Sequence, residues 1–205
     1  MAGIDWDFIS EIEGESTHKT GYVPAKGSGF TVGSFDIGQH SAEDIRRIIQ
    51  SYQNKLGKTY PLAETTELYK IISPYTLRED VSDEEARKIS FEEEEIKYLT
   101  AAKRYEFELK LRSDSFNKDF PEWKKLDDKT KTVLSSVGWQ FGTGEDSPFR
   151  ELYKLRDDKN ALVKELNRMG EGKHTYRRGR EAKYVTPSEE SSYMEQWNKE
   201  DNIFA

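Results

Sequence analysis

Apolar residues recur at helical spacing through most of the chain, beginning with its first segment. Between residues 4 and 13 they lie three or four positions apart or side by side, at Ile4, Phe8, Ile9 and Ile12. One face of a helix shows this spacing, and the following Gly14 is a common helix stop. The pattern therefore predicts a short amphipathic helix with Glu13 at its C-terminal end.

Residues 20 to 36 have a different pattern, in which glycine and proline interrupt aromatic and β-branched residues. The interruptions are Gly21, Pro24, Gly27, Gly29 and Gly33. Such residues between apolar positions favour tight turns and short paired segments. We expect a small twisted hairpin here, and no later segment of the chain predicts β-structure convincingly.

The remaining periodic segments predict helices. A Ser41 cap and a Gly57 stop bound the first, and Ser82 with Glu85 forms a capping-box pattern for a long helix with a possible bend near Phe91. The predicted helices cover residues 41 to 56, 61 to 72, 82 to 112, 130 to 141, 148 to 155, 158 to 169, 175 to 185 and 188 to 197. The segment at 130 to 141 is the most apolar, so we expect it to be the central core helix.

The composition of the chain limits the cofactors and partners that we expect. The chain has 205 residues with 34% hydrophobic content, enough for one domain with a core. It has no cysteine and three scattered histidines, so we expect no structural metal and no cofactor. The net charge of −7 disfavours nucleic acid as a partner. A basic cluster is the exception, and it is either a solvated helix face or an anion contact: Lys173, Arg177, Arg178, Arg180 and Lys183.

The hydropathy of the chain indicates where the protein is made. No run approaches the roughly 20 apolar residues needed to span a bilayer. Asp5 and Asp7 stand where a cleavable export signal would carry basic and apolar residues. We therefore expect a protein made in the cytoplasm without a signal peptide.

Two carboxylates stand out as candidate chemistry. Glu13 is expected at a helix end against apolar neighbours, where desolvation favours its protonated form, and Asp36 lies in a glycine-rich turn. Hydrolysis of a glycosidic bond needs one protonated carboxyl group and one ionised carboxylate. The alternatives are an exposed capping glutamate and a turn aspartate bonded to its own backbone.

Four segments resemble the phage-type lysozyme superfamily, most closely the pesticin-like muramidase domains of bacterial toxins. They are FISEIEG at 8–14, GYVP at 21–24 with TVGSFDIGQ at 31–39, VLSSVGWQFG at 133–142 and YRRGRE at 176–181. The resemblance implies an α+β, mainly α, lysozyme-like domain over residues 1–205. Its small β-containing lobe would span 14–75, its helical lobe 1–13 and 114–205, and its connecting helix 82–112.

The resemblance also implies roles for individual residues. Glu13 would be the acid of an inverting reaction, while Asp36 and the hydroxyl of Thr31 would orient the attacking water. The interval between Thr31 and Asp36 is shorter than in pesticin-like domains, so Ser34 is a rival for the hydroxyl role. The implied substrate contacts are Tyr22, Gln39, Gln140 and Arg178.

Each substrate contact has a structural alternative. Gln140 could bond a backbone carbonyl, and Tyr22 could be a core aromatic residue. Arg178, or its neighbour Arg177, could pair with Glu13 and restrain it, or lie on the surface. We expect no catalytic role for His18 or His40.

These features predict a monomeric muramidase that cleaves the β-1,4 bond between N-acetylmuramic acid and N-acetylglucosamine. It would act on the wall in the periplasm of a target or host bacterium, as an antibacterial toxin or a lysin. A secretion machine, toxin translocation or a holin would deliver it, and a periplasmic immunity protein is the expected partner of a toxin. The alternatives are a catalytically silent module that binds glycan or protein, and an unrelated helical adaptor.

Overall fold

The computed structural model describes residues 3–13, 19–57, 62–171 and 174–186, without the side chains of 62–66. His18 and the predicted helix at 188–197 lie outside these residues, as do Trp197 and Phe204, which we expected to cover a core edge. The chain divides into two compact units. Unit 1 is Met1–Gly14 with Pro121–Ala205, and unit 2 is Glu15–Phe120.

The described part of unit 1 is built from helices. They are α1 (Trp6–Glu13), α7 (Asp128–Phe141), α8 (Pro148–Lys154), α9 (Lys159–Met169) and α10 (Thr175–Val185), with a short 3-10 helix at Trp123–Lys125. The predicted core helix is confirmed as α7, whose residues 132–138 are all buried. Its N-terminus is capped by Asp127, which accepts a hydrogen bond from the Thr130 amide.

Unit 2 contains the other helices of the described chain. They are α2 (Ala42–Leu56), α3 (Leu62–Ile72), α4 (Asp83–Ala86), α5 (Glu93–Arg112) and α6 (Asp114–Asp119), with 3-10 helices at Ile37–Gln39 and Ser73–Tyr75. The predicted bounds of α2 are confirmed, because Ser41 caps it and Gly57 ends it with a left-handed φ of 60°. α2 packs on α5, and both contribute to a core that includes Phe30 and Phe35.

The expected β lobe is the main correction, because no strand forms among the residues that the structure describes. Only isolated antiparallel bridges occur, including Tyr22 with Thr31 and Val32 with Phe35. Gly29 and Gly33 have φ values of 69° and 57°, which interrupt an extended run. Residues 29 to 33 are also all buried, so the alternation of buried and exposed positions in a half-buried strand is missing.

The long helix expected at 82–112 is two helices, α4 and α5, with residues 87–92 between them. Phe91 is buried in the core of unit 2, and its amide donates to the Lys19 carbonyl at 2.9 Å. Glu92 then starts α5 with a capping box that includes Glu95. The break therefore lies where the bend was expected, and α5 alone corresponds to the connecting helix. None of the described helices is both long and apolar enough to cross a bilayer.

Candidate active site

Glu13 is the last residue of α1, a helix held in place by one buried face and by its N-terminus. Phe8, Ile9 and Ile12 are buried, and the ring of Phe8 stacks on Tyr184 of α10 with centroids 4.0 Å apart. The N-terminus is also fixed, because Asp5 accepts a hydrogen bond from the Phe8 amide at 2.9 Å. The position of Glu13 is thus set by packing against α10.

Arg177 of α10 makes an ion pair with Glu13 through its Nη1 and the Oε1 atom of the carboxylate. Of the two arginines considered for this contact, Arg177 is the one that makes it. The Glu13 side chain is 24% exposed and that of Arg177 is 10% exposed. The carboxylate therefore keeps some access to solvent while one oxygen is held by a nearly buried guanidinium.

Arg178 points to a different set of partners. Its side chain is fully buried and donates to Gln140 Oε1 and to Glu181 Oε2. Burial lowers the pKa of Arg178, although the nearby Glu181 acts in the opposite direction. A direct contact between Arg178 and a substrate is not open in this conformation. Gln140 is half-buried at the end of α7, and its amide nitrogen lies 3.5 Å from His174 Nδ1.

Sequence reasoning missed Glu181, which is the centre of this network. Its side chain is fully buried and accepts hydrogen bonds from Ser136 Oγ, Arg178 and, at 3.3 Å, Arg177 Nε. Burial raises the pKa of Glu181, and the two guanidinium groups oppose that effect. The signal was available in the sequence, because Glu181 lies three and four positions after the two arginines on one helix.

Asp36 of unit 2 immediately precedes the 3-10 helix Ile37–Gln39, and its carboxylate faces two nitrogen atoms. His40 Nε2 lies 3.2 Å and Lys103 Nζ lies 3.3 Å from Oδ1. Burial raises the pKa of Asp36, but the hydrogen bond with His40 and the charge of Lys103 outweigh it, so the pKa is lowered. Asp36 is therefore an ionised carboxylate over most of the pH range.

Lys103 of α5 is a second residue that sequence reasoning missed. Its Nζ lies 2.6 Å from His40 Nε2, so the same nitrogen of His40 faces both Lys103 and Asp36. One ring nitrogen cannot accept from the lysine and donate to the carboxylate at once. Whichever of these two bonds His40 makes, the ammonium group of Lys103 stays 3.3 Å from Asp36, so Lys103 favours the ionised carboxylate with either tautomer of His40.

The other predicted site residues of unit 2 lie in the same loop. The Thr31 hydroxyl is buried and donates to the Gly29 carbonyl at 3.4 Å, whereas Ser34 is only half-buried. Tyr22 is half-buried and donates through its hydroxyl to the Gly33 carbonyl at 2.7 Å. Gln39 is exposed, and its amide nitrogen lies 3.4 Å from the Ser28 carbonyl.

The two groups of site residues belong to different units. Glu13, Gln140 and Arg178 lie in unit 1, while the loop that carries Thr31 and Asp36 lies in unit 2. Within the part of the chain that the structure describes, no three acidic or histidine side chains gather as a metal site requires. Each group is thus built from charged and polar side chains of its own unit.

Comparison with known proteins identifies a family for this chain. The family described as pesticin, "Bacterial toxin homologue of phage lysozyme, C-term", matches residues 3–150. This range contains Glu13, Thr31, Asp36 and Gln140, and it ends before the arginines of α10. A comparison with curated proteins finds no match. Since the match covers well over half of the chain, this protein belongs to the pesticin family, whose members are homologues of phage lysozyme.

Proposed function

We propose that this protein is a muramidase that hydrolyses the β-1,4 bond between N-acetylmuramic acid and N-acetylglucosamine in peptidoglycan. The observation that carries the proposal is the family match, because it includes both carboxylates. Their surroundings support it. Asp36 has a lowered pKa beside Lys103, as a base that must stay ionised requires, and Glu13 lies at a helix end with partial exposure.

In this proposal the reaction proceeds with inversion. A water molecule attacks C1 of the N-acetylmuramic acid unit while Asp36 accepts its proton and the hydroxyl of Thr31 orients it. The bond from C1 to the bridging oxygen breaks, and Glu13 gives its proton to that oxygen, which becomes the 4-hydroxyl of N-acetylglucosamine. Direct displacement of a β-linkage by water gives an α product.

Three polar side chains are proposed to bind the glycan. Gln140 is half-buried at the end of α7, and Tyr22 and Gln39 belong to the Asp36 loop. Amide and phenol groups can donate to and accept from sugar hydroxyl and N-acetyl groups. Arg178 would contribute through Gln140, whose amide oxygen it contacts, so that one N–H of the amide can donate to the substrate while the other faces His174.

The biological role that fits this family is attack on a bacterial wall, either as an antibacterial toxin or as a lysin. We propose that the protein acts in the periplasm after delivery by a secretion machine, by toxin translocation or through a holin. A toxin of this kind would need a periplasmic immunity protein in its producer. The protein is proposed to act as a monomer.

Purified peptidoglycan tests the proposal directly. The wild type should release fragments with reducing N-acetylmuramic acid ends, and proton NMR of the first product should show the α anomer. Glu13→Gln and Asp36→Asn should each release fragments about a thousandfold more slowly while remaining folded. Glu11→Gln and Asp80→Asn are matched controls, because both carboxylates are exposed and paired with a surface arginine.

The outcomes separate the candidate functions. A β product would agree with a muramidase but would contradict the inverting mechanism. Binding to peptidoglycan without release of fragments would identify a silent glycan-binding module. Neither binding nor release, from several wall types, would overturn the proposed substrate.

A further inference from the structure

We infer that Glu181 is a positioning residue for Glu13, which it controls by holding and partly neutralising Arg177. The role assigned to Glu13 rests on the proposed function, but the arrangement of these side chains does not. All members of the network belong to unit 1 and come from α1, α7 and α10.

The first step is the geometry of Arg177, whose guanidinium is held at all three nitrogens. Nε donates to Glu181 at 3.3 Å, and Nη2 donates to the Ser136 carbonyl at 2.8 Å and to its hydroxyl at 3.0 Å. Nη1 makes the ion pair with Glu13. A planar group fixed at two corners can move little at the third, so Glu181 and Ser136 decide where Arg177 meets Glu13.

The second step is the protonation state of Glu181. Its two oxygens face two guanidinium groups and the Ser136 hydroxyl, which itself accepts from Arg177. Guanidinium groups only donate hydrogen bonds, and an ionised carboxylate only accepts them. The contacts therefore fit an ionised Glu181, whose negative charge is shared by Arg177 and Arg178.

The third step is the balance of charge. Two guanidinium groups face two carboxylates, Glu13 and Glu181, and Arg178 also interacts with Glu13 electrostatically. Without the charge of Glu181, both arginines would act on Glu13 alone. A fully buried carboxylate such as Glu181 costs desolvation free energy even when guanidinium groups pair with it. The cost is understandable if Glu181 keeps Arg177 from holding Glu13 as a permanent ion pair.

The helices packed against α10 carry other charged groups. α9 contributes Lys159, which pairs with Asp127, Arg168, which pairs with Glu165, and Lys164. α1 contributes Glu11, which pairs with Arg180 at 2.8 Å, and α10 is preceded by His174, which contacts Gln140. α7 contributes the uncharged Ser136 and Gln140 to the network. Within the described residues, Arg177 and Arg178 are therefore the cations expected to respond when Glu181 changes.

Glu181→Gln tests this inference, because it removes the charge and keeps the shape. Carbon-13 NMR of the side-chain carboxyl groups would follow the titration of Glu13 in the wild type, in Glu181→Gln and in Glu11→Gln. We expect the Glu13 midpoint to fall by about one pH unit in Glu181→Gln, and the alkaline limb of the activity profile to move with it. Glu11→Gln removes a carboxylate from exposed Arg180 and should leave both unchanged.

A purely structural role gives a different result. In that case Glu181→Gln would lower the melting temperature and leave the Glu13 midpoint where it is in the wild type, which would overturn the inference. The proposed function fails separately. A shifted midpoint in a protein that releases no fragments would keep the positioning role, whereas active enzyme with an unshifted midpoint would remove that role alone.

Ser136→Ala covers the case in which Glu181→Gln does not fold. It keeps both charges and removes the hydroxyl that joins Arg177 to Glu181. Ser136→Ala leaves the bond from Arg177 Nε to Glu181, but that carboxylate loses its bond from the hydroxyl and Arg177 Nη2 loses its bond to it. We therefore expect the Nε–H of the less restrained Arg177 to exchange with solvent about tenfold faster. A folded Ser136→Ala protein with unchanged exchange would overturn the inference, and Arg180 Nε–H is the internal reference.

Discussion

Glu13 and Asp36 are held in different ways. Glu13 ends a helix, and its arginine is nearly buried and shared with a second carboxylate, Glu181. Asp36 lies in a glycine-rich loop, and its lysine is shared with the ring of His40. The cation beside the proposed acid shares a fully buried second carboxylate at 3.3 Å, whereas the cation beside the proposed base has only a more distant and partly exposed one, Glu106 at 3.8 Å. This difference suits one carboxyl group that must carry a proton and another that must not.

Removing either carboxylate should have the largest effect. We expect Glu13→Gln and Asp36→Asn each to lower kcat by about a thousandfold, since a positioned acid or base contributes 10² to 10⁴. Turnover of labelled peptidoglycan measures this, with circular dichroism as the check on folding. Combining the two changes should add little beyond either one, because both act on the same bond. If only one of the two variants loses activity, Glu13 and Asp36 do not act together as acid and base.

Lys103→Met tests how much the lysine beside Asp36 contributes to the pKa of that carboxylate. Lys103 helps to lower the pKa of Asp36, so its removal should raise that pKa and require a higher pH to ionise the base. The acid limb of kcat/KM should therefore move to higher pH, with about a tenfold loss on its acid side. Lys97→Met is the control, because Lys97 lies on the same helix and pairs with exposed Glu93. If the acid limb does not move, Lys103 does not control the ionisation of the catalytic base.

The two hydroxyl candidates differ in exposure. Thr31 is buried and bonded to the Gly29 carbonyl, while Ser34 is half-buried. Our proposal gives the water-orienting role to Thr31, so Thr31→Val should lower kcat about tenfold, and Ser34→Ala by no more than about twofold. The ratio of the two kcat values is the measurement. The reverse order would transfer the role to Ser34.

Most of the helices were predictable because they have local signals, although α6 was not predicted and α4 and α5 were expected as one helix. Ser41 and Gly57 bound α2, and the apolar residues of α7 mark it as buried. The β lobe was not predictable from the same kind of signal. Aromatic and β-branched residues around Phe30 suggested strands, but they are buried without alternation and separated by left-handed glycines. Burial of the loop depends on tertiary contacts that a local pattern does not contain.

The candidate site shows the same limit. Glu13 and Asp36 could be named from the sequence because their segments resemble a family. Lys103 could not, since its partner Asp36 lies 67 positions away. For Glu181 the sequence shows only the spacing from its two arginines, and its contact with Ser136, 45 positions away, depends on the fold. A single charged residue on a predicted helix is expected to be exposed to solvent, because its partner is known only once the fold is known.

Asp127 lies outside both groups of site residues, and its substitution should have the smallest effect of those predicted here. It is therefore the reference for the effect of removing a carboxylate that takes no part in the reaction. Asp127 caps α7 and pairs with Lys159 at 2.5 Å, and although burial opposes the shift, these bonds lower its pKa from 3.8 to about 2. Because the folded pKa is lowered, its stabilising effect is present above about pH 4 and is lost as the pH falls through about 2. Asn keeps a capping oxygen, so Asp127→Asn should lower the free energy of unfolding by less than about 1 kcal/mol at pH 7, given that the side chain is half exposed. Urea unfolding at pH 7, 4 and 2 should show the difference from wild type shrinking towards the lowest pH, while activity at pH 7 is unchanged. If the difference in unfolding free energy stays constant with pH, the charge of Asp127 does not contribute to stability. If activity falls, a carboxylate of unit 1 can affect the reaction without contacting Arg177.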